Sequence, residues 1–172
     1  MGTALTSKQI GMIKRIVSKV VIIGDNDEAG QKAVVSHGEA LTSAGLNVRV
    51  MILPQAKDAD EYFKYKGAKS YEECLAENTT DFVDFMYQAK IGGAASQNDR
   101  LEVINYICGL LVCYDETLAR MYLDKFSKGD KQGKIWNETY YRLKNKRQVE
   151  AVSKEKKEQT DLMEKYGFYI NN

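Results

Sequence analysis

The stretch from Val20 to Gly30, Val-Val-Ile-Ile-Gly-Asp-Asn-Asp-Glu-Ala-Gly, places the tightest limit on the fold. Val20 to Ile23 is an unbroken β-branched run. That composition suits a strand buried on both faces, as in a parallel sheet covered by helices. Gly24 lets the backbone open where the strand ends. Asp25 and Asp27 follow one residue apart, and on an extended chain side chains at that spacing point to the same side. A helix is expected from about Glu28, with acid in its first turn and Gly30 allowing close packing. Two hard oxygen ligands therefore sit where a strand gives way to a helix. Open α/β sheets bind their ligands at that end.

Two carboxylates held together repel each other, and a divalent cation relieves the repulsion. Mg2+ takes few protein carboxylates, keeps waters and shares substrate phosphates. The pair thus points to Mg2+-dependent phosphoryl or nucleotidyl transfer. The competing reading is a turn in which Asp27 caps the helix. An EF-hand loop starting at Asp25 needs oxygen ligands at its fifth and twelfth positions, where Ala29 and Ser36 stand. An aspartyl-phosphate hydrolase has two spaced aspartates after a strand, with Thr or Val where this chain has Ala29. The aspartate pair of sugar-nucleotide transferases is too short to separate on this stretch alone.

A second acidic cluster bears on the choice. Asn47 to Leu53, Asn-Val-Arg-Val-Met-Ile-Leu, reads as the next strand and Pro54 ends it. Asp58 and Asp60 again lie one residue apart, just past a strand. A right-handed strand–helix–strand unit makes the two strands parallel neighbours and brings both aspartate pairs to one edge of the sheet. Lys57, a flexible point charge, can neutralise a triphosphate or stand exposed in a loop. Glu61 is read as the start of a helix, and Tyr62 and Phe63 as core.

Four segments then occur in a characteristic order and spacing: Gly2-Thr-Ala-Leu-Thr, Asp25-Asn-Asp-Glu-Ala-Gly, Ala44-Gly-Leu-Asn-Val-Arg-Val, and Leu53-Pro followed by Lys57-Asp-Ala-Asp-Glu-Tyr. The chain closely resembles the Toprim catalytic core of bacterial-type, DnaG-like DNA primases, strongly from Gly2 to Gly67 and weakly beyond. The resemblance implies an α/β fold: a partial Toprim fold, with a parallel sheet flanked by helices, then an α-helical subdomain and a long C-terminal helix. The expected division is residues 1–90, 91–130 and 131–172. The implied activity is synthesis of short RNA primers on a single-stranded DNA template from nucleoside triphosphates, with Mg2+ or Mn2+ as cofactor. Asp25, Asp27, Asp58 and Asp60 would be catalytic metal ligands, Lys57 would meet the triphosphate, and a replicative helicase would be a further partner. The family also uses a glutamate on a strand upstream of Gly2. The chain therefore reads as a piece of a longer primase of phage or mobile-element type, inactive by itself. Asn26 and Ala59 stand where the family commonly has Gly and Pro. Two alternatives remain: another Toprim enzyme, such as a topoisomerase or nuclease, and a non-catalytic module docking onto a helicase or template. The Gly-Thr-Ala-Leu-Thr and Lys-Asp-Ala-Asp-Glu-Tyr segments oppose the first.

The rest of the chain reads as helix. Thr6 caps a helix to about Lys19 that turns Ile10, Ile13, Ile16 and Val17 to the sheet. The helix from Glu28 to Ala44 carries Ala33, Val34, Ala40 and Leu41 inward and ends on Gly45 as a left-handed cap. Short helices are expected at 60–66 and 70–77. Thr80 is expected to cap 81–89, with Phe82, Phe85 and Met86 on one stripe. A small-residue linker, Gly92 to Gln97, precedes an amphipathic helix at 98–112, a further helix from Asp115 or Glu116 to Phe126, and a polar helix at 134–165. In the last, Trp136, Tyr140, Tyr141 and Leu143 interleave with Arg142, Lys144, Lys146 and Arg147. That pattern can hold a single strand through phosphates and stacking, although a partly packed, solvated helix is the favoured reading. The net charge of +1 supplies no overall basic field. Cys74, Cys108 and Cys113 are too scattered for a metal knuckle, and Cys108 and Cys113 are expected to be buried. An odd number of cysteines without a signal segment points to the cytoplasm. No apolar stretch is long enough to span a bilayer.

Overall fold

The structure, a computed structural model, describes residues 5–53, 62, 71–128 and 133–166. Helix α1 (Ser7–Ile16) opens on a capping box: the Thr6 hydroxyl accepts from the Gln9 N–H, and the Gln9 side chain accepts from the Thr6 N–H. Val17 is extended, so the helix ends sooner than its apolar pattern suggests. The chain there turns to enter strand β1 (Lys19–Gly24). Ile10 and Ile13 pack on the core, but Ile16 stays 79% exposed. The expected four-residue face of α1 is thus reduced to two.

Strand β1 pairs in parallel with β2 (Asn47–Ile52), from Lys19 opposite Asn47 to Gly24 opposite Ile52. Helix α2 (Glu28–Ser43) connects them and packs on both. It ends at Gly45, which adopts φ +82°, the left-handed cap expected there. Strand β3 (Thr80–Asp81) runs antiparallel on the far side of β2, giving the order β1-β2-β3. Among the described residues β1 is therefore an edge strand. Val21 is 38% exposed, and the β-branched run is not buried on both faces as expected. The doubly flanked β2 takes that place, with Val48, Val50 and Met51 buried.

Helix α3 (Tyr71–Asn78) leads into β3, and helix α4 (Phe82–Ile91) follows β3 without a break. Thr80 is not the cap of α4. It pairs with Val50, while the Arg49 guanidinium donates to the Thr79 carbonyl at 2.8 Å. The strand thereby moves the cap one residue on, and the Asp81 carboxylate accepts from the Val83 N–H at 3.0 Å. Phe82 lies over α2 at Gly38, where a Cβ would come within 2.2 Å of its ring. Phe82 and Met86 are buried and Phe85 packs half-buried beside them.

Burial pushes the Asp81 carboxyl above its ordinary range, against the lowering effect of the Tyr122 hydroxyl and the Val83 N–H. A carboxyl whose folded value is raised adds stability below its unfolded value, and that contribution is lost as pH rises through the folded value. Asn at this position keeps the cap without titrating. Against Asp81→Asn, the native chain should therefore gain stability as pH falls from 7 to about 4. Urea unfolding of both proteins at each pH checks this, and parallel stability curves would contradict it.

Helix α5 (Gln97–Leu111) has its own capping box, Ser96 with Asp99. Helices α6 (Glu116–Lys128) and α7 (Gly133–Tyr166) complete the described chain. Val34, Leu41, Val48 and Val50 share one hydrophobic cluster with Ile107, Leu111, Leu123 and Trp136, so the later helices pack on the core that the sheet begins. A smaller cluster of Met51, Leu53 and Tyr62, with Ile23 and Leu75 against it, lies at the carboxyl ends of β1 and β2. Cys108 is buried, and burial pushes its thiol up to about 12. Cys113 is only half-buried, contrary to expectation, and the Arg147 guanidinium lies 2.6 Å from its sulfur. Among the described residues no helix is long and apolar enough to cross a membrane.

Candidate active site

The site is built at the carboxyl end of β1, where two glycines set the approach of α2. A Cβ at Gly24 would meet the Val34 side chain at 2.3 Å, and a Cβ at Gly30 would meet the Asp25 carbonyl oxygen at 2.5 Å. Only glycine lets the first turn of α2 lie this close to the strand end. Asp25 is thereby held by its backbone against the helix it precedes.

Asp27 is the N-cap of α2, extended at φ −118°, ψ 169°, and its Oδ1 accepts from the Gly30 N–H at 2.6 Å. The capping reading of Asp27 is borne out, and it leaves the second carboxylate oxygen uncommitted among the described residues. Asp25 has no hydrogen-bond partner among them. Both side chains are exposed. Glu28 is committed elsewhere, to Lys32 at 2.6 Å on the surface of α2.

Hard, exposed carboxylate oxygens suit a cation that keeps most of its waters, so the pair fits Mg2+ or Mn2+ as two protein ligands among several. Among the described residues no group of three or more candidate ligands gathers at one point. Asp58, Asp60 and Lys57 lie outside the described residues. The ends of their segment do not. The Leu53 N–H donates to the Gly24 carbonyl at 3.2 Å, tying the end of β2 to the end of β1, and Tyr62 is buried in the cluster that Leu53 and Ile23 share.

The aromatic and basic segment of α7 is spent on packing. Trp136 and Tyr140 are buried. Arg142 donates to Asn105 at 2.6 Å, Lys144 to Glu116 at 2.9 Å, and Arg147 reaches Cys113. Lys146 lies 3.9 Å from Glu150 on the helix surface. The packed, solvated helix is the reading the structure supports over a single-strand clamp. Those partners lie 28 to 37 residues away in sequence, so no local pattern marks them.

Residues 1–63 match the Toprim-like family. The chain is 32% identical over 136 residues to a DNA primase of Clostridium acetobutylicum, covering 77% of this chain and 22% of the relative, so it spans about a fifth of that protein's length. Its fold is similar to a DNA primase domain from Pseudomonas aeruginosa, with a TM-score of 0.65 at 20% identity over 81% of this chain and 46% of the other. It is also similar to a DnaG primase catalytic domain solved bound to single-stranded DNA, with a TM-score of 0.61 at 22% identity over 76% and 43%. Residues 1–63 are thus a Toprim-like segment, and the chain carries it in the fold of a bacterial-type DNA primase catalytic core.

Proposed function

We propose that this chain supplies the metal-binding part of a primase active site, within a longer protein that makes short RNA primers on single-stranded DNA from nucleoside triphosphates. One observation carries the reading. β1 and β2 are parallel neighbours ending in register, and an acidic segment leaves each end. Adjacent strands lie about 4.8 Å apart, so the two segments start one strand spacing from each other. The second begins at Leu53 and returns by Tyr62 to the same small cluster. This supports Asp58 and Asp60 completing the site that Asp25 and Asp27 begin.

In this reading Asp25 and the free oxygen of Asp27 hold Mg2+ or Mn2+, and Lys57 balances triphosphate charge. A divalent ion held by these carboxylates would supply Lewis-acid neutralisation of the triphosphate, the chemistry needed when the primer 3′ hydroxyl displaces pyrophosphate from the α-phosphorus. The single-stranded template is proposed because a similar primase domain was solved with single-stranded DNA. A replicative helicase as partner is proposed from the resemblance alone.

Mn2+ titration of the chain, followed by electron paramagnetic resonance, tests the ligand assignment apart from catalysis. Asp25→Asn and Asp27→Asn should each weaken binding by about tenfold or more, since each removes a full charge from the ligand set. Asn is itself a good N-cap, so Asp27→Asn should leave α2 intact by circular dichroism. A native chain that binds no Mn2+, or two variants that bind it unchanged, would reject the assignment.

A further inference from the structure

From Asn145 to Tyr166 every residue of α7 is exposed. At about 1.5 Å per residue, the part from Gln148 onward carries the helix some 28 Å beyond its buried end. This projecting part is not uniformly polar. Val149, Val152, Leu162, Met163 and Tyr166 are 43–66% exposed. On a helix of 3.6 residues per turn, Val149, Val152, Lys156, Gln159, Met163 and Tyr166 form one stripe with Leu162 at its margin. Their spacing alternates three and four, the seam of a two-helix coil. Gln159, Leu162, Met163 and Tyr166 together line a shallow apolar depression. Glu150, Lys154, Lys157, Glu158, Asp161 and Glu164 occupy the opposite face, where Lys154 and Glu158 lie 3.9 Å apart.

We infer that residues 148–166 of α7 form an antiparallel two-helix coil with the same segment of a second copy, closing a symmetric dimer. The stripe is complementary to itself only in that sense. Antiparallel pairing centred between Lys157 and Glu158 sets Val149 against Tyr166 and Val152 against Met163, small against large. It sets Lys156 against the uncharged Gln159. Parallel pairing stacks Lys156 on Lys156, a like-charge contact at a seam position. It also brings two bodies together at one end, because Arg147 still ties α7 to Cys113 and to the Ser43 carbonyl. The contact relates identical surfaces by a two-fold axis, so it closes at two copies.

Sedimentation velocity of the whole chain over about a hundredfold concentration range tests this. The mass should rise towards twice the monomer value. Lys156→Leu should move the transition to about tenfold lower concentration, because a charged seam residue weakens a coil. Val152→Glu combined with Met163→Glu should remain monomeric throughout, with its near-ultraviolet circular dichroism unchanged. Orientation is read by cross-linking in a Cys74→Ser, Cys113→Ser background. A mixture of Val152→Cys and Met163→Cys chains should form a mixed disulfide, and neither alone should link to itself. A native chain monomeric at the highest concentration overturns the inference. So does association that survives the double glutamate substitution, or self-linking of Val152→Cys.

Discussion

Replacing Asp25 by Asn in a full-length protein that carries this chain is expected to lower primer synthesis by at least about a hundredfold. A divalent ion supplies several kcal/mol of transition-state charge stabilisation, and each 1.36 kcal/mol corresponds to a factor of ten. Asn is nearly isosteric with Asp but offers one neutral oxygen, so the loss is electrostatic rather than steric. Asp25 is the informative position because its carboxylate has no structural task among the described residues: it is exposed, while the cap of α2 is provided by Asp27. Folding stability should therefore change by no more than about 0.5 kcal/mol, the usual range for a surface substitution. Primer length and yield on a single-stranded template, measured with Mg2+ and with Mn2+, check the expectation. Synthesis within a few-fold of the native rate would remove Asp25 from the catalytic ligands. A matching fall in thermal stability would mean that the substitution acted through the fold.

Trp136→Ala should cost about 3–5 kcal/mol, the range for emptying a buried aromatic site. That is a large share of the roughly 5–15 kcal/mol that holds a domain folded. Trp136 is fully buried, 5.2 Å from the Phe126 ring of α6 and 5.9 Å from the Tyr87 ring of α4. Its carbonyl accepts from the Cys108 thiol of α5 at 3.6 Å. One residue therefore joins α7 to three other helices. The midpoint of thermal unfolding should fall by roughly 10 °C or more. Circular dichroism is the probe to use, since Trp136 is the chain's only tryptophan and its fluorescence leaves with it. Trp136→Phe keeps most of the apolar volume and should lose distinctly less. A Trp136→Ala chain within 1 kcal/mol of native in urea unfolding would show that α7 is held by other contacts.

The sequence was legible wherever the deciding interaction was local. Thr6 with Gln9, Asp27 with Gly30, and the left-handed Gly45 are settled by residues no more than five positions apart, and each stands where the residue types place it. The two parallel strands and their register of carboxyl ends follow from one strand–helix–strand unit, and so the acidic pair at Asp25 and Asp27 was readable as a candidate site. The Toprim-like match over residues 1–63 falls on the same stretch. The helix at 98–112 announced itself by apolar periodicity, and Trp136 and Tyr140 are buried in what was read as a partly packed polar helix.

What local chemistry leaves open is which neighbour a segment meets. Val20 to Ile23 has the composition of a central strand, but burial depends on what pairs on each side, and β2 holds the middle of the described sheet. Asp81 rather than Thr80 caps α4 because Thr80 is taken by a strand pair with Val50, thirty residues back. Gly38 matters through the Phe82 ring, and Arg142, Lys144 and Arg147 through partners on other elements. Caps and turns are decided by bonds that close within a few residues, so the sequence by itself determined them. Exposure, ion pairing and close approach are sums over residues distant in the chain, and only the tertiary structure brings those residues together.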